Sequence, residues 1–224
     1  MSAPSLLGTV QGLLTRTYAL EAPLDAIERY VIGDAGLARL YDAAAGASVR
    51  SAGDGARLLL REDGGTLHAC LYFPDALIRD LERRPPQRGV DDGNVDAFAV
   101  FVEEIDHLLV AAERAKAERS VSLLELELHA NVSKYLVLAR FLGGRAPRLG
   151  AARRAWLRHH LFEKPVFSDP DPEVRARYVD AGRHAARFLK TLDGVTPPRR
   201  LERLRRFHRQ DLGGKVAMGN AAPR

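Results

Sequence analysis

Cysteine is almost missing from this chain of 224 residues: Cys70 is the only one, beside a single tryptophan, Trp156, and two methionines. One cysteine excludes an intramolecular disulfide framework and a Cys-rich zinc module, and a reducing compartment, by default the cytoplasm, is the expected location. Long apolar runs are also missing. The longest, Tyr135 to Leu142, is interrupted by Arg140 and falls far short of the roughly 20 residues that a membrane-spanning helix needs. No Lys or Arg precedes Arg16, which argues against a secretory signal, so neither export nor a membrane partner is expected. The chain lacks Gly-x-Gly-x-x-Gly, His-Glu-x-x-His, Cys-x-x-Cys and Gly-x-Ser-x-Gly, and Gly213-Gly214-Lys215-Val216 lacks the upstream glycine and the Ser/Thr of a phosphate loop. Standard nucleotide, zincin and serine-hydrolase chemistries therefore lose most of their support.

What is present suits a folded core, with 46% hydrophobic residues, enough for one large domain or two small ones. Charge is unevenly placed. Residues 1–142 carry 15 Lys/Arg and 21 Asp/Glu, whereas residues 143–224 carry 19 and 8, giving −6 and +11. A basic segment of that size attracts nucleic acid, an acidic protein or the acidic part of its own chain.

Hydrophobic periodicity predicts a mostly α (α+β) fold. Its core is an antiparallel helix pair, about 95–118 and 122–142, with a small β-hairpin at about 57–73. The first helix repeats Phe98, Phe101, Ile105, Leu108 or Leu109, and Ala112 at helical spacing; the second carries Leu124, Leu128, Val132, Tyr135, Ala139 and Leu142 on one face and Leu123, Leu126, Ala130, Val137 and Phe141 on another. Helices apolar on two sides are buried ones. Ser122 with Glu125 has the capping-box spacing, and Gly143-Gly144 supplies a stop. In the hairpin, Leu67, Ala69, Leu71 and Phe73 alternate after Asp63-Gly64-Gly65, and Ala47 to Arg50 is a candidate third strand. Helices are further expected near 6–15, 23–31, 35–44, 75–84, 151–162, 173–192 and 199–210. The organisation predicted is a mixed region over 1–94, a helical region over 95–212 forming one compact unit with it, and a disordered tail over 213–224, which has little to bury.

Three acid–histidine pairs share one spacing: Glu103 with His107, Glu125 with His129, and Asp180 with His184. Residues four apart on a helix converge, and inward-facing carboxylates and imidazoles of a helical bundle bind metal. Glu104 lies three residues before His107, and Glu127 is a further candidate. Such a set would hold zinc, iron or manganese between three helices. The competing reading is local pairing on helix surfaces: the wheel sets Glu103 and His107 roughly opposite the Phe98–Ile105 stripe and puts His129 at the flank of its own.

The other constellation is Arg199, Arg200, Arg203, Arg205, Arg206 and Arg209, on one short segment beside Leu201, Leu204 and Phe207. It suits phosphate contacts or a protein partner, or simply a terminal helix docked by its apolar residues. His159-His160 beside Trp156 points to a surface role, and Cys70 near His68 to ordinary packing. The leading expectation is a cytoplasmic interaction or accessory protein that binds a protein partner through a basic C-terminal helix and an acidic body. A metal-dependent enzyme with a Glu/Asp–His site between helices is the alternative, and sequence-independent nucleic-acid binding the third.

Overall fold

Nine helices and a three-stranded sheet account for the regular structure of residues 5–21, 24–43, 55–144, 149–164 and 170–221, the residues described by a computed structural model of the protein. Its centre is α4 (Val95–Lys116) and α5 (Leu123–Gly143). Their partners run in opposite order: Phe98 meets Phe141, Glu103 meets Lys134, Asp106 meets His129 and Arg114 meets Glu125. The pair is therefore antiparallel. Ser122 starts α5 by accepting the Glu125 amide at 3.1 Å, satisfying one of the donors a helix start leaves open.

Apolar residues on two faces of α5 require two neighbours, and α7 (Pro172–Thr191) is the second. Ala181 and Ala185, both fully buried, let its backbone approach closely. Asp171 caps α7 through the Glu173 amide, and Pro172 occupies the first turn, where a missing N–H costs nothing. Enclosed in this way, α5 buries nine successive positions, Glu125 to Ser133. α1 (Leu6–Tyr18) sends Val10, Leu14 and Tyr18 into the same core.

The hairpin is β2 (Arg57–Asp63) with β3 (Thr66–Tyr72), closed by Gly64 and Gly65, whose φ angles of 54° and 79° suit a two-residue turn. Its root packs on α4, with Phe73 and Phe101 ring centroids 4.9 Å apart. The third strand is β1 (Val31–Ile32), parallel to β3 at Leu71 and Tyr72. A helix was expected to run to Val31. Only a 3₁₀ turn, Ile27–Tyr30, forms before the β-branched Val31 and Ile32 pair with the sheet. The alternative strand at 47–50 lies outside the described residues. α2 (Asp34–Ala43) and α3 (Asp75–Arg83) flank the sheet, tied by the Asp34 carboxylate, which accepts from Tyr72 and the Asp75 amide.

α6 (Ala151–Arg158) continues into a π-helical turn, His159–Glu163. α8 (Pro197–Arg209) buries Leu204, Phe207 and His208, with Phe207 stacked on Phe188 at 4.1 Å. The expected disorder after 212 is overturned for most of that segment: Leu212–Asn220 is α9, capped by Asp211 through the Gly214 amide. A Cβ on Gly219 would come within 3.3 Å of the Phe188 amide nitrogen, so glycine permits close contact with α7. Lys215 is 1% exposed. Composition misses this helix because its anchor is a buried ion pair. Among the described residues, no helix is long and apolar enough to cross a membrane.

Candidate metal centre

Glu103 and His107 sit one turn apart on α4 and face Glu127 of α5, so one ligand atom from each can be chosen with all three within 4.8 Å of one another. The antiparallel register causes this meeting, since it brings the second turn of α5 opposite the middle of α4. Glu104, on the same turn of α4, brings Oε2 to 3.7 Å from His107 Nδ1, while Glu127 Oε2 stands 3.8 Å from His107 Nε2. Both separations exceed a hydrogen bond. Glu104 Oε2, His107 Nε2 and Glu127 Oε2 are buried and lack a hydrogen-bond partner, a costly arrangement for polar atoms out of water. Two N/O ligands bonded to one ion at about 2.1 Å each stand roughly 3.4 Å apart at a tetrahedral angle. The Glu127 Oε2–His107 Nε2 spacing is close to that of two ligands on a common cation, whereas Glu104 stands at the other ring nitrogen and orients the imidazole.

Electrostatics agree. Lys134 of α5 donates to Glu103 Oε2 at 2.8 Å, leaving that residue's other oxygen for a ligand. Burial would raise Glu103, but the Lys134 ammonium and His107 outweigh it and hold the carboxyl below its usual range. Burial raises Glu104, and the imidazole of His107 offsets this only in part. Glu127 is pushed to about 7 by burial against the attraction of His107, with Glu103 adding repulsion. His107 should lose its charge on burial, yet the surrounding carboxylates raise it to about 9. Tyr178 of α7 is raised by burial, with the charges of Glu127 and Glu103 adding to the shift. With His107 protonated, three carboxylates and two cations sum to −1, and a divalent ion that displaces the imidazole proton meets a net −2.

The structure unites only part of the predicted set. Glu103, Glu104 and His107 join Glu127. Glu125 is engaged elsewhere, 2.7 Å from both Arg114 Nη2 and Lys215 Nζ. His129 is fully buried, with Nδ1 2.8 Å from Asp106 Oδ2, so its ring is oriented by a carboxylate rather than by the metal ligands. Asp180 pairs with Arg183 on the exposed side of α7, and His184 is not in the ligand group. Convergence of the three histidine pairs is therefore corrected to one pair and one residue from the facing helix. The wheel argument also fails for His107, which is 9% exposed, because α4 is covered on both sides.

A second polar chain runs beside the centre. His129 Nε2 lies 3.0 Å from His208 Nδ1, and His208 Nε2 lies 3.2 Å from Glu113 Oε1. Burial outweighs Asp106 in lowering His129, whereas Asp106, beside His129, is held down against its own burial with the help of hydrogen bonds from His129 and Ser133. Ionised Asp106 and neutral His129 put the hydrogen on Nδ1 and leave Nε2 to accept from His208. Tyr18 closes the inner end, its hydroxyl 2.7 Å from Ser133 Oγ. Asp106, His208, Glu113 and Lys215 carried no signal of their own in the sequence. Asp106, between Ile105 and His107, and Lys215, in a glycine-rich segment, become visible only once their partners are known.

Of the α8 arginines, Arg200, Arg203 and Arg205 donate to the carbonyls of Val195, Thr191 and Arg16, while Arg199, Arg206 and Arg209 are exposed. His160 and Trp156 both bind Asp92 Oδ1 at 3.0 Å, and His159 pairs with Glu163. Cys70 is partly covered, and burial raises its thiol. Set against protein-family models, curated proteins and solved structures, the chain matches none.

Proposed function

We propose that the protein is a metal-dependent enzyme whose ion is held by Glu103, His107 and Glu127, with Glu104 positioning the imidazole from its Nδ1 side. One observation carries the reading: ligand atoms from two facing helices gather within 4.8 Å while His107 Nε2 and Glu127 Oε2 stay buried and unpaired. A set of carboxylates and one imidazole suits iron, manganese or zinc. The ligand side chains keep 8% to 17% of their surface exposed. A metal held there would supply Lewis-acid chemistry, lowering the pKa of a bound water and polarising a substrate oxygen. Lys134 supplies a cation beside it.

Metal analysis of the protein purified without chelators tests this. We expect close to one equivalent of iron, manganese or zinc, falling to background in Glu127→Gln and His107→Ala, with circular dichroism unchanged. Background metal in the unaltered protein after reconstitution with each ion would sink the proposal.

A second reading, capture of an acidic protein partner by α8, draws on one observation: Arg199, Arg206 and Arg209 are exposed, and none forms an ion pair among the described residues. It applies to the docked helix, not to a detachable arm.

A further inference from the structure

At the outer end of the His129–His208 chain, α4 and α8 border a cleft of about 370 Å³, a size typical of small-molecule sites. It is lined by Glu113, Arg114, Arg119, His208 and Arg209, with Lys116 and Ala117 beside them and one further carboxylate, Glu21. Arg119 and Arg209 are exposed and form no ion pair among the described residues. Arg114 is a different kind of cation: its side chain is only 8% exposed, its Nη2 is spent on Glu125, His208 O and Gln210 O, and its buried Nε–H has no acceptor. Glu113 presents the opposite lack, because Oε1 meets His208 Nε2 while Oε2 is buried without a donor. The wall thus offers one buried guanidinium N–H without an acceptor, two exposed guanidinium groups without an ion pair among the described residues, and one carboxylate oxygen without a donor.

We propose that this cleft binds a phosphate that carries a hydroxyl, as hydrogen phosphate or a monoprotonated phosphate monoester. Its unprotonated oxygens accept from Arg114 Nε, Arg119 and Arg209, and its P–OH donates to Glu113 Oε2. Guanidinium groups match phosphate geometry better than an ammonium does. The α8 C-terminus, whose carbonyls would repel an anion, is already covered: Arg114 and Lys215 both donate to His208 O and Gln210 O. The Asp106–His129 pair holds the His208 ring so that Nε2, not Nδ1, faces the cleft wall.

The donor requirement sets the test, because sulfate has the same shape and no hydrogen at neutral pH. Isothermal titration of inorganic phosphate into the full chain at constant ionic strength should saturate at one equivalent, with sulfate at least tenfold weaker. Arg119→Ala combined with Arg209→Ala should weaken phosphate by at least roughly tenfold, as expected for lost charged hydrogen bonds. Both residues are exposed, so folding is preserved. Glu113→Gln should strengthen sulfate and narrow the gap, and Glu127→Gln, which breaks the metal centre, should leave phosphate binding unchanged. An unsaturable phosphate signal, equal binding of the two anions, or indifference to the double arginine variant overturns the site.

Discussion

The centre at Glu103, His107 and Glu127 is governed by competition between protons and a cation for the same atoms. Glu127 keeps its proton up to about pH 7 and His107 up to about pH 9, and a metal requires both removed. Affinity should therefore rise with pH throughout this range. Between 7 and 9 one proton is displaced, giving about tenfold per pH unit; below 7 two are displaced and the dependence steepens. Competition titrations against a calibrated chelator from pH 6 to 9 would show this, and a flat profile would place the ion on groups other than these. Part of the site was legible. Glu103 and His107 were found by spacing, and Glu104 by its place three residues before His107. Glu127 stood midway between Glu125 and His129, two residues from each, and only the register of α5 on α4 decides between them.

Elements were more legible than sites because hydrophobic period is a local property. α4, α5, the hairpin and its glycine turn all follow from spacing within one segment, whereas β1 exists only because β3 lies beside it. α9 is the clearest failure, and its cause is long-range: Lys215 reaches Glu125 across 90 positions, joined there by Arg114. Burial lowers the Lys215 ammonium, and Glu125 only partly restores it, so the pair stands or falls together. Ending the chain after Gln210 would strip this cation from a buried carboxylate and uncover Phe188 and Phe207. Breaking a buried pair costs about 3–5 kcal/mol; since Arg114 remains, Lys215→Ala should cost about 2 kcal/mol and the truncation more. Urea unfolding by far-ultraviolet circular dichroism would measure both. A disordered tail would leave the midpoint unchanged.

For the molecule as a whole, the split between an acidic first part and a basic second part is partly consumed internally. Lys164 meets Asp96, His160 meets Asp92, His208 meets Glu113 and Lys215 meets Glu125, so charge that looked available for a partner holds the C-terminal helices to the body. The sharpest imbalance left is at Glu103, Glu104 and Glu127, three carboxylates set against Lys134 and the proton of His107, enclosed where α4 and α5 meet under α7. Burial of Glu127 and its repulsion by Glu103 are a cost to the folded state that the unfolded chain does not bear. An ion binding the folded form alone stabilises it by about 2.7 kcal/mol at 100 times its dissociation constant. In a chain of this length each kcal/mol moves the unfolding midpoint by about 2–4 °C. Saturating metal should then raise Tm by roughly 5–10 °C and a chelator should reverse it, with Glu127→Gln removing the response. Glu127→Gln should also stabilise the metal-free protein slightly, because the repulsion of Glu103 is relieved. Calorimetry on the two chains with and without metal gives all four midpoints. A metal-free variant less stable than the metal-free parent would mean that Glu127 is held by local pairing instead.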